Sequence, residues 1–398
     1  MNKKKINKKV LVIGSELEGI ILCKELANKG FEVILVDNNN YLGGRLNNNK
    51  LAFLYFNLNK KIKFIENNKN IQILKNTSVV SINGVIGRFK VSLINENISI
   101  LEASIVVLCT GVDFVPSFDY MSHNFISFSQ LKIFFNPQGI TRSDMFKIAN
   151  RTYKKIALYI PQNSSSRYIV NEFFQYALFL KNRYGADISL ILPEVLVAGD
   201  ELEKTYREIR EAGILVFKYN NQPELNYLDM ENISINFMDQ NESNIKIDTD
   251  LLIYGEKIVD SLYFKELKTI FKLCDYNNIN FQLLNSSRKG VYLCGLCRED
   301  LLNIECNQDA IALSEEISEV LKEGVIEYEN GVIDIDKKKC TLCLTCVRVC
   351  PHAAIEMDRD ILDERVIKIY DEGCFHCGTC VGECPTKALT YKEEFVSI

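Results

Sequence analysis

Residues 340–351 read CTLCLTCVRVCP, and residues 374–385 read CFHCGTCVGECP. In each stretch three cysteines are separated by two residues, a fourth follows after three more, and proline comes next. Three thiolates so close together bind one iron–sulfur cluster, whereas the fourth reaches across to a second cluster. The two stretches form an internal repeat, and they predict a C-terminal domain that holds two [4Fe-4S] clusters.

The spacing assigns the eight cysteines to two crossed sets of ligands, the pattern of bacterial ferredoxins. The first cluster would be held by Cys340, Cys343, Cys346 and Cys384. The second would be held by Cys350, Cys374, Cys377 and Cys380. Zinc is the alternative for clustered thiolates, but zinc sites are built from paired C-x2-C units with four ligands to each ion. Two runs of four that end in proline therefore favour iron and sulfide over zinc.

Length and composition bound the class of protein. The chain has 398 residues, which suits two or three domains, and its net charge of −5 argues against a nucleic-acid platform. No membrane span is expected, because Glu16 and Glu18 interrupt the best apolar candidate, residues 10–23. No signal-peptide h-region is recognised either, so we expect a cytoplasmic protein, in which fourteen cysteines favour metal ligation over disulfides. The basic run at residues 3–9 is expected to be a solvated arm.

The N-terminal part begins with the pattern of a Rossmann βαβ unit. Apolar residues 10–13 and 33–36 predict two strands, and residues 17–28 between them have helical apolar spacing. Asp37 lies 23 residues after Gly14, close to the separation at which a carboxylate binds the ribose of a dinucleotide. Gly14 and Gly19 hold the first and third places of the G-x-G-x-x-G pattern, but Glu16 holds the second. A carboxylate there faces the position of the diphosphate, so the pattern supports the βαβ unit better than a bound nucleotide.

Three later features favour a flavin over a nicotinamide. Gly43 and Gly44 are followed by the cation Arg45, a buried strand ends in Thr110 and Gly111, and a second strand ends in Gly295 ahead of an apolar helix near residue 310. We therefore predict bound FAD, with a site formed by Gly14, Gly19, Asp37, Gly43, Gly44, Arg45, Thr110, Gly111 and Gly295.

The middle of the chain predicts an inserted α/β domain. Strands are predicted at residues 156–160, 188–192 and 214–217 with helices between them, an alternation typical of a parallel sheet. The turn at residues 161–167 has no glycine, so binding of NAD(P)H is not expected. The fold class is thus an α/β flavoprotein with two dinucleotide-binding domains plus a ferredoxin-like α+β domain. Its predicted parts are a discontinuous FAD-binding Rossmann-like domain at 1–135 and 246–325, an insert at 150–245, and the cluster domain at 330–398.

From about residue 8 onward the chain resembles the flavin-binding A-type subunits of heterodisulfide reductase and their relatives. The likeness is carried by the βαβ unit with its Gly43-Gly44 pair, the hairpin at 82–91, the strands ending at Gly111 and Gly295, and the double cysteine repeat. Cysteines that this family commonly carries are missing between residues 47 and 70 and between 158 and 167, so we interpret the chain as a shortened, diverged member.

The resemblance implies an oxidoreductase subunit. The sequence offers no catalytic Ser/His/Asp set, and His123 is isolated among polar residues, so no catalytic substrate residues are predicted. Such a subunit passes electrons between a flavin and its partners through two clusters, including by electron bifurcation. The partners would be ferredoxin or other oxidoreductase subunits, of heterodisulfide-reductase, hydrogenase or dehydrogenase type.

The residues bear on two other functions. Glu16 favours a scaffold and electron relay that has lost its flavin and conducts only through its clusters. A self-contained NAD(P)H:ferredoxin reductase is disfavoured by the glycine-free turn at 161–167. Cys294 and Cys297 form a further C-x2-C pair. We interpret them as small buried hydrophobic residues in preference to a redox pair or an extra set of ligands.

Overall fold

The structure is a computed structural model. The residues that it describes are 2–47, 57–119, 122–134, 146–148, 151–199, 201–227, 232–273, 285–329, 331–359 and 363–392. Cys274 lies outside the described residues.

The strands, in chain order, are β1 (Asn2–Lys5), β2 (Lys9–Ile13), β3 (Glu32–Val36), β4 (Ile71–Leu74), β5 (Ser78–Asn83), β6 (Phe89–Ile94), β7 (Ile98–Ala103), β8 (Ile105–Leu108), β9 (Val112–Val115), β10 (Phe125–Ser127), β11 (Lys147–Ile148), β12 (Arg151–Thr152), β13 (Lys155–Tyr159), β14 (Asp187–Leu192), β15 (Leu215–Lys218), β16 (Glu224–Tyr227), β17 (Ile233–Met238), β18 (Asn244–Thr249), β19 (Leu251–Tyr254), β20 (Lys257–Asp260), β21 (Val291–Leu293), β22 (Val325–Tyr328), β23 (Ile333–Ile335), β24 (Ile355–Arg359), β25 (Arg365–Ile369) and β26 (Leu389–Tyr391). The α-helices are α1 (Leu17–Asn28), α2 (Leu58–Glu66), α3 (Phe128–Phe134), α4 (Arg167–Tyr184), α5 (Leu202–Glu211), α6 (Leu262–Phe271), α7 (Asn303–Lys322), α8 (Thr345–Val349) and α9 (Thr379–Gly382).

The first lobe is built on a parallel sheet of order β21-β8-β2-β3-β4. Its central strand β2 is apolar from Val10 to Ile13, and all four side chains are fully buried, as expected for a parallel strand covered on both faces. Helices α1 and α7 pack against each other on one face. The predicted βαβ unit is therefore present, with the carboxyl ends of its strands at one edge.

The second lobe is built on another parallel sheet, of order β10-β19-β13-β14-β15. The predicted strand and helix alternation of the insert is present as β13, α4, β14, α5 and β15. Two of the sheet's strands, β10 and β19, lie outside residues 150–245. Helix α4 buries Phe173, Phe174 and Tyr176 in the core of this lobe.

The cluster domain consists of two short helices, α8 and α9, and two antiparallel strand pairs, β23-β26 and β24-β25. The hairpin between β5 and β6 docks it onto the first lobe. The Gly84 N–H donates to Glu356 Oε1 at 2.9 Å, and Arg88 pairs with the buried Glu372 at 2.7 Å. The hairpin that carried part of the family resemblance is thus a contact surface for the cluster domain.

The expectation that the N-terminal residues form a solvated arm is wrong. Residues Asn2–Lys5 form β1, which pairs antiparallel with β22. Lys3 pairs with Glu327 at 2.6 Å, and Lys4 reaches Glu372, so acidic partners on two neighbouring segments hold the basic run against the protein. Of the helices in the described ranges, none is long and apolar enough to cross a membrane.

Candidate functional site: two cysteine sets and a closed nucleotide groove

The two cysteine loops repeat each other in backbone conformation as well as in sequence. Leu342 and Leu344 in the first loop have φ of 55° and 61°, and His376 and Gly378 at the matching places of the second loop have φ of 57° and 76°. Left-handed residues between the cysteines turn the chain sharply, as a loop that wraps a cluster requires.

The cysteines line two separate cavities. One is bordered by Cys340, Cys343, Cys346 and Cys384. The other is bordered by Cys350, Cys374, Cys377 and Cys380. Each cavity thus has three thiols from one loop and the fourth from the other. Apolar side chains such as Ile335 and Leu389 complete the first cavity, and Ile333 and Ile355 complete the second.

Hydrogen-bond donors surround the thiols in both cavities. The His376 N–H donates to Cys374 Sγ at 3.4 Å, and the Ala388 N–H donates to Cys384 Sγ at 3.3 Å. Beside the second set, Lys289 Nζ donates to the carbonyl oxygen of Cys374 at 2.6 Å. Donors and cations at the sulfur atoms stabilise thiolate and reduced cluster states, so these groups fit an iron–sulfur site.

The predicted flavin residues do meet at the carboxyl edge of the first sheet. Gly14 has φ of 102°, and a Cβ there would lie 2.2 Å from the Cys109 carbonyl oxygen, so the turn requires glycine. Gly19 lets α1 approach the same turn, because a Cβ there would lie 2.2 Å from the Gly14 oxygen. Both glycines therefore serve the packing of the βαβ unit itself.

The Asp37 carboxylate lies at the end of β3 and binds the chain's own backbone. Its Oδ2 accepts a hydrogen bond from the Ser15 N–H at 2.7 Å, and its Oδ1 accepts one from the Asn39 N–H at 2.8 Å. Gly43 donates its N–H to the Ser15 oxygen at 2.9 Å, which brings the Gly43-Gly44 pair against the first turn.

The Glu16 side chain occupies the groove between these segments. A Cβ on Gly44 would lie 2.1 Å from Glu16 Oε1, and a Cβ on Gly111 would lie 2.8 Å from the same oxygen. Arg45 holds the carboxylate at two points, by Nη1 to Oε2 at 2.6 Å and by its backbone N–H to Oε1 at 3.1 Å. Three of the residues predicted to contact flavin therefore contact Glu16.

Glu18, which in the sequence is only a break in an apolar run, fills the next part of the groove. It is fully buried, and a Cβ on Gly295 would lie 2.2 Å from its Oε1. Arg45 Nη2 lies 3.9 Å from Glu18 Oε2, and neither carboxyl oxygen has a hydrogen-bond partner among the described residues. The sequence analysis did not identify Glu18 as a groove residue. The feature that could have indicated it is a second acidic residue in the first turn of α1, where the helix packs on the strand ends.

The buried charges extend from this groove into the second lobe. Arg45 Nη2 donates to Asn303 Oδ1 at 3.2 Å, and Asn303 Nδ2 donates to Glu172 Oε1 on α4 at 3.3 Å. Glu172 in turn pairs with Lys132 of α3 at 3.2 Å. We call these six residues the interior charge cluster: Glu16, Glu18, Arg45, Lys132, Glu172 and Asn303.

Burial controls the protonation of the cluster's carboxyl groups. It raises the pKa of Glu18 to about 7, against the opposing charge of Arg45, and it raises the pKa of Glu16 in the same way. Burial acts to lower the pKa of Arg45, but Glu16 and Glu18 raise it well above its ordinary value. A permanent cation therefore faces two carboxyl groups whose burial favours their protonated form.

These side chains do not fit the diphosphate of FAD. The diphosphate would need the space between Gly44, Gly111 and the first turn, and Glu16 fills that space with a carboxylate. The guanidinium that could face a phosphate is already paired with Glu16. Like charges a few ångströms apart repel, so bound FAD requires both glutamates to leave the groove.

The corresponding place in the second lobe, the start of α4, is also occupied by a carboxylate of the chain. Asp300 accepts hydrogen bonds from the N–H groups of Arg167 at 2.7 Å and Tyr168 at 3.1 Å. The Ser166 hydroxyl accepts from the Ile169 N–H at 3.1 Å. The backbone donors that would bind a nicotinamide diphosphate at a helix N-terminus are thus engaged.

The spare cysteines lie deep in the first lobe. Cys109, Cys294 and Cys297 are buried, and Cys297 donates to the Leu108 carbonyl oxygen at 3.3 Å. Burial raises the pKa of Cys109 to about 12, which keeps that thiol protonated and unreactive. The surroundings agree with the interpretation as small hydrophobic residues.

Comparison with solved structures defines the fold class. The thioredoxin reductase of T. acidophilum matches with a TM-score of 0.52 and 14% identity, over 79% of this chain and 99% of that chain. The Lactococcus lactis enzyme in its FR conformation has the same TM-score and identity over 80% and 100%. The HOCl-induced flavoprotein disulfide reductase of Escherichia coli matches with a TM-score of 0.50 and 12% identity, over 79% and 71%. The chain has the fold of FAD/NAD-binding pyridine nucleotide-disulfide oxidoreductases, as predicted.

Two sequence matches identify the relatives more closely. Residues 339–388 match the 4Fe-4S dicluster domain family. A stretch of 93 residues, 22% of this chain, is 32% identical to a protein of Archaeoglobus profundus that is similar to the A-type subunit of heterodisulfide reductase, and it spans 13% of that protein. The predicted resemblance is confirmed over this stretch. The dicluster match supports the two predicted clusters, and the flavoprotein neighbours support FAD as the cofactor of this fold.

Proposed function

We propose that the chain is the electron-transfer subunit of a multi-subunit oxidoreductase of the heterodisulfide-reductase type, acting in the cytoplasm. Electrons pass singly between partner subunits or ferredoxin through two [4Fe-4S] clusters. The carrying observation is the pair of cavities, each bordered by four cysteines within the segment that matches a 4Fe-4S dicluster domain.

Each cluster has its own set of ligands in this proposal. The first belongs to Cys340, Cys343, Cys346 and Cys384, and the second to Cys350, Cys374, Cys377 and Cys380. The linings of the two cavities support this crossed assignment.

Both clusters have access to partners at the surface. Cys343 in the first set and Cys377 in the second are exposed, whereas the other six ligands are buried or half-buried. The exposed Phe375 lies beside Cys377 and offers an apolar contact next to the second cluster. One partner can therefore deliver electrons at one cluster while another accepts them at the other, with no further cofactor in the path.

A flavin-containing form of the same function is the second candidate. Its support is the flavoprotein fold and the buried hydroxyl groups of Ser15 and Thr110, which have no hydrogen-bond partner among the described residues and could donate to a phosphate. When bound, a flavin would exchange electron pairs for single electrons, which bifurcation requires. The filled groove favours the relay that conducts through its clusters alone.

The test is a redox analysis of anaerobically purified full-length protein. We expect about eight irons and eight acid-labile sulfides per chain, and two one-electron reductions in a potentiometric EPR titration. Stoichiometric zinc without sulfide would overturn the proposal. Iron with no electron exchange to any ferredoxin or copurified oxidoreductase partner would leave the clusters without the proposed role.

A further inference from the structure

We propose that Glu16, Glu18 and Arg45 replace the flavin diphosphate in this chain, so that the first lobe binds no FAD and the interior charge cluster joins the two lobes in its place. This deepens the proposed function, because it leaves the two clusters as the only electron carriers.

The first support is steric. Three glycines around the groove, Gly44, Gly111 and Gly295, make concave surfaces of the kind that let a backbone approach a ligand closely. Glu16 lies against the first two, and Glu18 lies against the third, at distances that leave no room even for an added methyl group. The chain's own side chains thus occupy the surfaces that a cofactor would use.

The second support is electrostatic. The Arg45 side chain is 8% exposed and is paired with Glu16 at 2.6 Å, so its charge is neutralised by a carboxylate inside the protein. A dianionic diphosphate in the groove would have to compete with that pair and would face Glu18 as well. Breaking a buried ion pair leaves an uncompensated charge, which strongly opposes binding.

The third support is that the interior charge cluster is continuous across the two lobes. From Arg45 it passes through Asn303 at the start of α7 to Glu172 of α4 and Lys132 of α3. A cofactor in the groove would interrupt this path at Arg45. The interior charge cluster therefore acts as a fixed contact between the two lobes. It holds them, together with the iron–sulfur domain docked on the first lobe, in one arrangement.

The experiment measures FAD binding to the reconstituted full-length protein and to a Glu16→Gly/Glu18→Ala variant by calorimetry with FAD as the probe. The wild-type protein should bind no FAD at tens of micromolar, on the order of 100-fold weaker than the variant. In the variant the groove is open and Arg45 is free to face a phosphate. The matched control, Glu25→Ala/Glu32→Ala, removes two charges from the same βαβ unit outside the groove and should behave like wild type.

Iron and flavin are assayed separately, so the two proposals fail separately. Wild-type protein with flavin near one per chain would overturn this inference while leaving the clusters intact, and protein without iron would overturn the proposed function instead. If the double variant retains wild-type iron content and circular dichroism yet still binds no FAD, Glu16 and Glu18 are not what closes the groove. The wild-type measurement decides the first point even if the variant does not fold.

Discussion

The cysteine loops and the nucleotide groove are the two places where this fold presents residues for a redox cofactor, and they differ in what fills them. In the loops, eight thiols surround two cavities. In the groove, the glycines surround carboxylates of the chain itself. The packing of the βαβ unit requires glycine at positions 14 and 19 whether or not a nucleotide is bound. The difference teaches that these glycines report the architecture and not its ligand.

The two lobes extend the comparison. The first lobe has Glu16 at the start of α1, and the second has Asp300 at the start of α4. In the first lobe the Glu16 carboxylate fills the groove, and in the second Asp300 accepts from backbone donors at the start of α4, although both lobes keep the strand order and helices of a dinucleotide-binding fold. Fold and cofactor are therefore separate properties here.

The largest expected effect breaks the cysteine side of the comparison. In Cys343→Ala/Cys384→Ala both substitutions fall in one ligand set, so iron should fall from about eight to about four per chain. In Cys343→Ala/Cys350→Ala each cluster loses a ligand, and iron should fall toward zero. Iron and sulfide assays with EPR compare the two variants. Equal losses would contradict the crossed assignment, and Cys306→Ala, a buried non-ligand, should retain all the iron.

The next effect is on the groove side. Arg45→Met leaves Glu16 and Glu18 buried without their cation, and we expect it to lower the free energy of unfolding by roughly 3–5 kcal/mol. The exposed pair of Arg359 and Asp363 gives the control, since Arg359→Met should cost less than about 1 kcal/mol. Denaturant unfolding monitored by circular dichroism measures both. An Arg45 variant as stable as the control would show that the interior charge cluster does not hold the lobes.

A pH dependence follows from Glu18, whose pKa rises from its ordinary range to about 7 in the folded protein. Between about pH 4.5 and pH 7 the folded state holds a proton that the unfolded state has released, so this contribution to stability is complete at low pH and is lost as pH rises. Arg45, Glu16 and Asp309 are the charged groups that face Glu18. The loss should be up to about 3 kcal/mol.

The matched variant is Glu18→Gln, which cannot titrate. From pH 5 to pH 7 the free energy of unfolding of the wild-type protein should fall relative to that of the Glu18→Gln variant. A difference that stays constant over that range would show that Glu18 is ionised throughout.

A smaller effect sharpens the cluster side. Lys289→Met removes a cation that donates to the Cys374 carbonyl oxygen, and the midpoint potential of one cluster should fall by on the order of 50 mV, about 1 kcal/mol for one electron. Lys289→Arg keeps the charge and should shift the potential much less. Potentiometric EPR resolves the two clusters. A shift in both clusters, or in neither, would contradict the placement of Lys289 beside the second set alone.

The smallest expected effect is none. NADH or NADPH added to the protein without partner subunits should not bleach the cluster absorbance, because Asp300 engages the backbone donors at the start of α4. Bleaching by NADH alone would show that the second lobe binds a nicotinamide despite this contact. Ferredoxin reduced beforehand serves as the positive control for electron entry.

The sequence by itself determined the cysteine repeat and most strands of both parallel sheets. Ligand spacing and apolar periodicity are local properties, so these features could be predicted from short segments. Three strands of the sheets, β4, β10 and β19, were not predicted. Local sequence also identified Glu16 as the residue out of place. It could not show whether that carboxylate turns to solvent or inward.

Only the tertiary structure decided that question. The groove is formed where residues 14–19, 44–45, 110–111, 295 and 303 meet at the edge of one sheet, and their side-chain contacts depend on that meeting. Arg45 finds Glu16 29 residues away and Asn303 258 residues away. The chemistry of the clusters is determined by spacing along the chain, whereas the closure of the groove depends on contacts between distant segments that no local pattern records.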